Sequence, residues 1–287
     1  MGPDQRSLRP SDPRAFFRAL GTRPKRYLGQ HFLIDSAAAQ RIATIVNEPS
    51  SNGDGEFHIL EIGAGTGALT TALAQRDRRL TAIEIDADLV RFLRGLPELS
   101  AVQIVQADAL AFDYAQFGSG SRWRVTGNLP YNIGTPLLLH LIEMQAGPDQ
   151  IIVMLQKDVA DRLAARPATP AYGSLTLATQ YAMRVERVFS LGPHAFYPRP
   201  KVDSTVVRMI RHPQAPVHTA NAQFLLQVTR AAFAYRRKTL ANSLRLALGI
   251  EPARTSSALK SIGLGPEVRG EELELAQFAA IADHLHR

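Results

Sequence analysis

The stretch HILEIGAGTG, residues 58 to 67, joins a short apolar run to a turn that contains three glycines. Glycine permits a tight strand-to-helix turn and lets the backbone approach a ligand closely, so this turn indicates a nucleotide-like cofactor. Two interpretations are open at this point. Gly63 and Gly65 with Ala68 fit a dinucleotide fingerprint, in which a helix N-terminus faces a pyrophosphate. Glu61 with the three glycines fits the turn of S-adenosylmethionine (SAM) methyltransferases.

Short apolar runs alternate with amphipathic helical stretches on both sides of this turn. The runs are HILEI (58–62), RLTAIEI (79–85), VQIVQ (102–106), RWRVTGN (122–128) and QIIVML (150–155). The alternation is typical of βαβ units and predicts an α/β domain with a parallel sheet over residues 25–212. After a proline-rich break at 211–218 the periodicity is helical, which predicts a small all-helical C-terminal domain over residues 213–287.

Composition excludes several classes of protein. Of the 287 residues, 45% are hydrophobic and 21% are charged, as in ordinary globular proteins. No apolar run approaches the roughly 18–20 residues that a membrane span needs. Cysteine is absent, which excludes disulfides, a thiolate zinc site and a cysteine nucleophile, and favours the cytoplasm. We expect a monomer with no bound metal and no membrane contact.

The net charge of +7 is concentrated in two segments. Residues 1–30 carry seven basic side chains and two aspartates, and residues 230–260 carry seven basic side chains and one glutamate. Clustered Lys and Arg bind phosphates and release counterions, so the distribution predicts a polyanionic partner. Residues 1–24 lack periodicity and the apolar core of a signal peptide, and we predict that they form a flexible basic arm.

Polar residues follow the second, third and fourth predicted strands. Glu84 lies 21 positions after Gly63, where an acidic side chain accepts hydrogen bonds from ribose hydroxyls of either cofactor. Asp108 follows the third strand, where its carboxylate accepts from an adenine amino group, and the tetrapeptide 128–131, Asn-Leu-Pro-Tyr, follows the fourth. Together these residues favour SAM over a dinucleotide.

The tetrapeptide suits methylation of an exocyclic amine. The lone pair of adenine N6 is delocalised into the ring, so an enzyme must bias N6 toward a tetrahedral geometry. The Asn128 oxygen and a carbonyl near Leu129 can accept its two N–H protons, while Pro130 fixes φ and removes a competing donor. Tyr131 can stack on the base. Positioning and electrostatics then provide the catalysis, and no strong general base is needed.

These motifs and others resemble the ribosomal RNA small-subunit adenine N6,N6-dimethyltransferase family (KsgA/RsmA type). The matching segments cover residues 25 to about 280 and comprise residues 28–33, 61–67, 83–86, 106–108, 128–133, 196–204 and 233–240. The resemblance implies a Rossmann-like SAM-dependent methyltransferase sheet followed by a helical rRNA-binding domain. It implies an enzyme that dimethylates two adjacent adenosines in the 3′-terminal hairpin loop of small-subunit (16S) rRNA within the assembling 30S subunit.

The resemblance also implies roles for individual residues. Phe196 would stack on the flipped adenine opposite Tyr131. His31 stands where the family usually has Asn, so the SAM group that it meets is open. Predicted SAM contacts are His31, Leu33, Gly63, Gly65, Glu84, Asp108 and Asn128, and predicted catalytic residues are Asn128, Leu129, Pro130, Tyr131 and Phe196. For RNA phosphates we predict Lys201 and three successive residues that we place on a helix, Arg236, Arg237 and Lys238.

Two other functions are compatible with part of this pattern. Macrolide-resistance methylases of large-subunit rRNA share the SAM turn and an Asn-x-Pro-Tyr motif, although the segments FYPRPKVDS (196–204) and RRKTL (236–240) favour the small-subunit enzyme. Relatives of this fold also serve as transcription factors without catalysis. The intact Asn128, Pro130 and Tyr131 favour an active enzyme.

Overall fold

The computed structural model describes residues 9–10, 12–49, 56–76, 79–130, 132–235 and 237–286. The chain divides into two compact units. The sheet unit comprises Met1–Ala160 and Glu186–Arg211, and the helical unit comprises Asp161–Val185 and His212–Arg287. The helical unit thus resumes at His212, and it also contains residues 161–185, which the sequence pattern assigns to the sheet domain.

The described residues form nine strands, numbered along the chain. They are β1 (Phe32–Leu33), β2 (His58–Ile62), β3 (Arg79–Glu84), β4 (Gln103–Gln106), β5 (Trp123–Asn128), β6 (Gln150–Gln156), β7 (Met183–Leu191), β8 (Phe196–Tyr197) and β9 (Ser204–Arg211). Strands β2 to β6 coincide with the five apolar runs. Strands β7 and β9 lie outside those runs, because charged residues interrupt their alternation.

Seven strands form the central sheet in the order β4-β3-β2-β5-β6-β9-β7. The pairs β2–β3, β2–β5, β3–β4 and β5–β6 are parallel, and β9 runs antiparallel to β6. The predicted Rossmann-like sheet is confirmed. Strand order reverses at β2, which lies between β3 and β5, and ligands of such sheets bind at the carboxyl ends of the strands beside this reversal.

Twelve α-helices are formed by the described residues. They are α1 (Pro13–Ala19), α2 (Ser36–Asn47), α3 (Ala68–Ala74), α4 (Ala87–Arg94), α5 (Tyr114–Phe117), α6 (Gly134–Glu143), α7 (Lys157–Leu163), α8 (Ser174–Ala182), α9 (Ala222–Ala234), α10 (Leu240–Leu248), α11 (Pro252–Ser261) and α12 (Leu275–His286). Aspartates begin several of them: Asp35 caps α2 by accepting from the N–H of Ala38, and Asp86 caps α4 by accepting from that of Asp88.

Two apolar clusters pack helices against one face of the sheet. One contains Ile42 and Leu73 of α2 and α3, packed with Ile59 of β2. The other contains Leu89 and Leu93 of α4 together with Ala82 and Ile104 of β3 and β4. Ile59 pairs with Leu80, which lies two positions before Ala82 on the same strand, so both clusters lie on the same face. Leu60, Ile83 and Val125 are buried on the opposite face, so both faces of the sheet are covered, as a parallel sheet requires.

A single apolar cluster forms the core of the helical unit. Leu225, Val228 and Phe278 from α9 and α12 are fully buried in it. Tyr172 and Leu177 join the same cluster, which is why residues 161–185 belong to this unit. The periodicity of a sequence shows that such residues are apolar and buried, but not which of two cores buries them.

The N-terminal segment differs from the prediction of a flexible arm. Helix α1 begins after Asp12, whose side chain accepts from the N–H of Ala15 at 3.0 Å, and has Pro13 at its first position. Phe16 and Phe17 are buried, with their rings against Phe92 and Phe32. Each buried phenylalanine stabilises the folded chain by about 2–3 kcal/mol, which offsets the entropy cost of ordering this segment. Residues 1–8 and 11 of the arm lie outside the described residues.

The described α-helices are short, and the longest, α9, has 13 residues. None of them combines the length and the apolar character that a membrane crossing requires. Across the described ranges, no group of three or more His, Asp or Glu side chains is arranged to hold a metal ion.

We expect Tyr172→Phe to destabilise the helical unit. The buried Tyr172 hydroxyl donates to the carbonyl of Leu273 at 2.7 Å, and removing it leaves that carbonyl without its partner. The expected loss is about 1–2 kcal/mol, measured by urea unfolding followed by circular dichroism. Tyr181→Phe is the control, because in the described structure the Tyr181 hydroxyl makes no hydrogen bond. Equal stability of the two variants would contradict the assignment of residues 161–185 to the helical core.

Candidate active site

The turn between β2 and α3 adopts a conformation that favours glycine. Gly63, Gly65 and Gly67 have φ angles of +74°, +58° and +90°, in the left-handed region. A Cβ atom at Gly65 would lie 2.9 Å from Cδ1 of Phe32, and one at Gly67 would lie 2.7 Å from Cδ2 of Leu93. Both the backbone angles and the close packing of the turn therefore require glycine here.

Glu84, the last residue of β3, is bound to this turn. Its Oε2 accepts from the N–H of Gly65 at 2.9 Å, and its Oε1 accepts from the N–H groups of Ile85 at 2.9 Å and Asp86 at 3.0 Å. Burial raises the pKa of Glu84, and the N–H groups of Asp86 and Gly65 oppose that rise. Contact with ribose hydroxyls stays a prediction. The structure adds a second role for Glu84, which is to hold the glycine turn.

A pocket lies at the carboxyl ends of β2 and β5, beside the reversal of strand order. It brings together most of the sequence-predicted residues, which are His31, Leu33, Gly63, Gly65, Glu84, Asn128, Leu129 and Pro130. It is also lined by residues 28–30, by Phe32 and by the first turn of α3. We call this the cofactor pocket.

Asp108 does not line the cofactor pocket. It lies exposed after β4, and its Oδ1 accepts from the N–H of Leu110 at 2.9 Å. Two large apolar side chains stand exposed at the same edge, Ile85 at 43% and Leu110 at 54%. Neither residue was predicted as a ligand contact, although Ile85 directly follows β3 and Leu110 lies four residues after the end of β4. Their exposure suits contact with a flat apolar ligand group beside Asp108.

Glu61 is a further pocket residue that the sequence analysis did not predict as a ligand. It is 1% exposed, and its Oε2 is buried without a hydrogen-bond partner among the described residues. Burial raises the pKa of Glu61 to about 8, the Thr70 side chain opposes this rise, and the charge of the nearby Glu84 adds to it. The sequence does carry a signal for Glu61, because it is a charged residue inside the apolar run HILEI. A buried carboxyl in the pocket wall suits a cationic ligand group.

The amide of Asn128 is held in a fixed orientation. Its Nδ2 donates to the backbone carbonyl of His31 at 2.5 Å, which leaves Oδ1 as an acceptor. The His31 ring is held in turn, because its Nδ1 lies 2.7 Å from the carbonyl of Pro198, and a carbonyl only accepts. Nδ1 therefore carries a proton. Asn128 and His31 are thus brought together through contacts that no sequence pattern shows, and their contact with SAM stays a prediction.

Phe196 is not positioned as the resemblance implies. Its ring is 1% exposed and packs in the core with Leu33 and Met154, and it lines neither the cofactor pocket nor the cavity that contains Tyr197. The reason is the pairing of β1 with β8, which sets Leu33 opposite Phe196 and Phe32 opposite Tyr197. Successive strand residues point to opposite faces, and the half-buried Tyr197 lines a neighbouring cavity instead.

The predicted RNA contacts are exposed where they are described. Lys201 lies in the loop before β9. Arg237 and Lys238 lie between α9 and α10 and not on a helix, because α9 ends at Ala234 and Thr239 caps α10 by accepting from the N–H of Asn242. Tyr131 and Arg236 lie outside the described residues.

Helix α1 and Pro10, three residues before it, contact residues of the cofactor pocket. The hydroxyl of Thr66, in the glycine turn, donates to the carbonyl of Pro10 at 2.7 Å. The Phe17 ring lies 5.3 Å from the ring of Phe32, which lines the pocket. The N-terminal segment therefore supports the turn and one wall of the pocket.

Comparison with known proteins decides the family. The model of the ribosomal RNA adenine dimethylase family matches residues 21–287. The chain belongs to this family. Ribosomal RNA small subunit methyltransferase A of Hahella chejuensis is 39% identical to this dimethylase over 272 residues, which are 93% of this chain and 94% of the relative. The protein of the same name from Legionella pneumophila strain Lens is 41% identical over 260 residues, which are 90% and 96% of the two chains.

Solved structures with the same fold include an rRNA methyltransferase and a dimethyladenosine transferase. The 23S rRNA methyltransferase ErmE superposes with a TM-score of 0.66 at 24% identity and covers 89% of this dimethylase and 99% of its own chain. A dimethyladenosine transferase from Plasmodium falciparum superposes with a TM-score of 0.65 at 22% identity and covers 87% and 95%. The predicted methyltransferase fold and the predicted rRNA adenine dimethyltransferase activity are confirmed. Helix α1 precedes the family match, which begins at residue 21.

We expect Phe17→Ala to weaken SAM binding about 5- to 30-fold, which corresponds to about 1–2 kcal/mol, because Phe32 loses its support. Phe16→Ala is the matched control, since Phe16 packs on Phe92 at 4.9 Å, outside the pocket lining. Both variants should lower the melting temperature, but only Phe17→Ala should change the SAM affinity measured by calorimetry. Equal SAM affinities of the two variants would show that α1 supports only the core.

Glu61 also predicts a pH dependence of stability. Its folded-state pKa of about 8 exceeds the ordinary value of 4.5, so the folded chain holds this proton more tightly than the unfolded chain. The contribution of Glu61 to stability is therefore full below about pH 4.5 and is lost as the pH rises toward 8. Each pH unit within that window costs at most about 1.4 kcal/mol.

We expect Glu61→Gln, which cannot ionise, to flatten this dependence in the protein without ligand. Urea unfolding at pH 5, 6, 7 and 8 measures it. Glu98→Gln, at an exposed position, is the control and should follow the wild-type profile. Parallel stability profiles for wild type and Glu61→Gln would contradict the raised pKa of Glu61.

Proposed function

We propose that this dimethylase methylates N6 of two adjacent adenosines in the 3′-terminal hairpin loop of small-subunit (16S) rRNA, each of them twice, within the assembling 30S subunit. The shared name and the 39–41% identity of the small-subunit relatives support the choice of subunit. The observation that carries the chemistry is the fixed amide of Asn128, whose Nδ2 is bound to the His31 carbonyl.

The cofactor pocket fits SAM. SAM combines an amino acid, a sulfonium and a nucleoside, and it supplies a methyl group on the positively charged sulfur when bound. Glu61 presents a buried carboxyl oxygen without a partner in the described structure, which suits the cationic ammonium of the amino acid part. Glu84 lies at the end of β3 with acceptor capacity for ribose hydroxyls. The glycine turn leaves room for close approach of the ligand to the backbone.

The chain contributes to methyl transfer mainly by holding the adenine amino group. Because Nδ2 of Asn128 donates to the His31 carbonyl, its Oδ1 is available to accept one N–H of N6. We assign the second N–H of N6 to the Leu129 carbonyl. Both bonds strengthen as the nitrogen becomes tetrahedral, so they stabilise the transition state more than the bound substrate. N6 carries a positive charge after the transfer and loses a proton to water, so no strong base is required.

Phe196 has a different role in this proposal from the one that the sequence implied. Its buried ring packs beside Leu33 and sets the β1–β8 pairing, which places His31 and Pro198 beside the pocket. Stacking on the extruded base is assigned to Tyr131. The exposed Lys201, Arg237 and Lys238 are assigned to RNA phosphates together with Arg236.

Labelled SAM and small subunits that lack dimethyladenosine test this function. We expect label on two adjacent adenosines near the 3′ end of 16S rRNA, mapped by primer extension and mass spectrometry. Asn128→Ala should lower kcat at least 100-fold, because it removes an interaction specific to the transition state, while subunit affinity changes less than about threefold. Label on large-subunit rRNA would contradict the proposed substrate, and a normal kcat for Asn128→Ala would contradict the mechanism.

A further inference from the structure

A second cavity adjoins the cofactor pocket and shares Gly29, Gln30 and His31 with it. We call it the basic cleft. It is lined by parts of the segments 23–31 and 197–202 and by Gln156, and its volume is about 1110 Å³. Ligand pockets commonly span about 300–1,000 Å³, so the basic cleft accommodates at least one nucleotide.

Four cationic side chains line the basic cleft: Arg23, Arg26, Arg199 and Lys201. None of the four side chains makes an ion pair or a hydrogen bond to the described part of the chain. The neighbouring Lys25 is different, because its Nζ lies 2.8 Å from Oδ1 of the buried Asp86. The charge of Lys25 is thus paired with Asp86, whereas four positive charges surround one cavity without a partner in the described part of the chain. Such charges repel one another until an anion binds between them.

Aromatic side chains accompany these charges. Tyr27 follows Arg26 directly and is 75% exposed, which is unusual for a large aromatic residue. Tyr197 lines the cleft, and the guanidinium of Arg14 lies 5.2 Å from its ring centre. Exposed aromatic rings among unpaired cations are typical of single-stranded nucleic-acid sites, where rings stack on bases and cations contact phosphates.

We infer that the basic cleft binds the single-stranded RNA that flanks the target adenosine. Arg23, Arg26 and Arg199 contact phosphates there, and Tyr27 stacks on a flanking base. This inference rests on the proposed function, since the cleft opens beside the Asn128 amide through the shared His31. It gives a binding role to Arg23, Arg26, Tyr27 and Arg199, none of which was predicted individually as an RNA contact.

The test measures equilibrium affinity for small subunits that lack dimethyladenosine, with full-length protein and the demethylated cofactor product present so that no turnover occurs. We expect Arg26→Ala and Arg199→Ala each to raise the Kd about three- to tenfold and to lower the slope of log K against log salt by about one. Tyr27→Ala should raise the Kd about tenfold, and Tyr27→Phe, which keeps the ring, should restore it.

Arg79→Ala is the matched control. Arg79 is exposed and begins β3, so it lies at the end of the strand opposite to the site. Each variant is also tested for SAM affinity by calorimetry, which should remain at the wild-type value and shows that the pocket is folded. If Arg26→Ala and Arg199→Ala match Arg79→Ala in Kd and salt slope, the inference is wrong.

The result separates this inference from the proposed function. Affinity losses with label on small-subunit rRNA support both. The same losses measured on large subunits, with label on large-subunit rRNA, overturn the proposed substrate but support the RNA-binding cleft. Normal affinities with label on small-subunit rRNA overturn the cleft alone.

Discussion

The hydrogen bonds of the Glu84 carboxylate are the contacts on which the site depends. One oxygen holds the N–H of Gly65, and the other holds the N–H groups of Ile85 and Asp86. Asp86 continues the network, because its carboxylate accepts from Lys25 and Gln30. A continuous set of charge-assisted bonds thus joins the glycine turn, the end of β3 and the residues Lys25 and Gln30. Gln30 lines both cavities. Such bonds are short and strong where water is excluded.

The two cavities differ in chemical character, because acidic side chains line the cofactor pocket and basic side chains line the basic cleft. Glu61 and Glu84 line the cofactor pocket, whereas four unpaired cations line the basic cleft. His31 belongs to both, and it is fixed through its carbonyl to Asn128 and through its ring to Pro198. A cofactor with a cationic sulfonium and a polyanionic RNA are attracted to different sides of this residue. Under the proposed function, electrostatic complementarity helps to place the two substrates on either side of the Asn128 amide.

The N-terminal segment shows how composition alone misleads. Residues 1–24 are rich in Arg, Pro and Ser, which predicts disorder, yet Phe16 and Phe17 make residues 13–19 part of the core. The charged positions of α1 remain exposed or contact Tyr197. Although α1 precedes the family match, it supports Phe32 and, through Pro10, the glycine turn. Two adjacent aromatic residues outweighed the polar composition around them, because burial energy depends on area and not on average hydropathy.

The sequence by itself determined the five parallel strands, the glycine turn, the change to helices near residue 212 and the family, because each depends on local periodicity or on contiguous motifs. It also predicted eight residues that line the cofactor pocket. Only the tertiary structure decided the burial of Phe196, the assignment of residues 161–185 to the helical core, the His31–Asn128 contact and the convergence of Arg23 and Arg26 with Arg199. Each of these depends on residues far apart in the chain, and strand register decides which of two neighbours, Phe196 or Tyr197, faces the core. A one-residue change of register exchanges the two faces of a strand, and no local pattern in FYPRPKVDS specifies that choice.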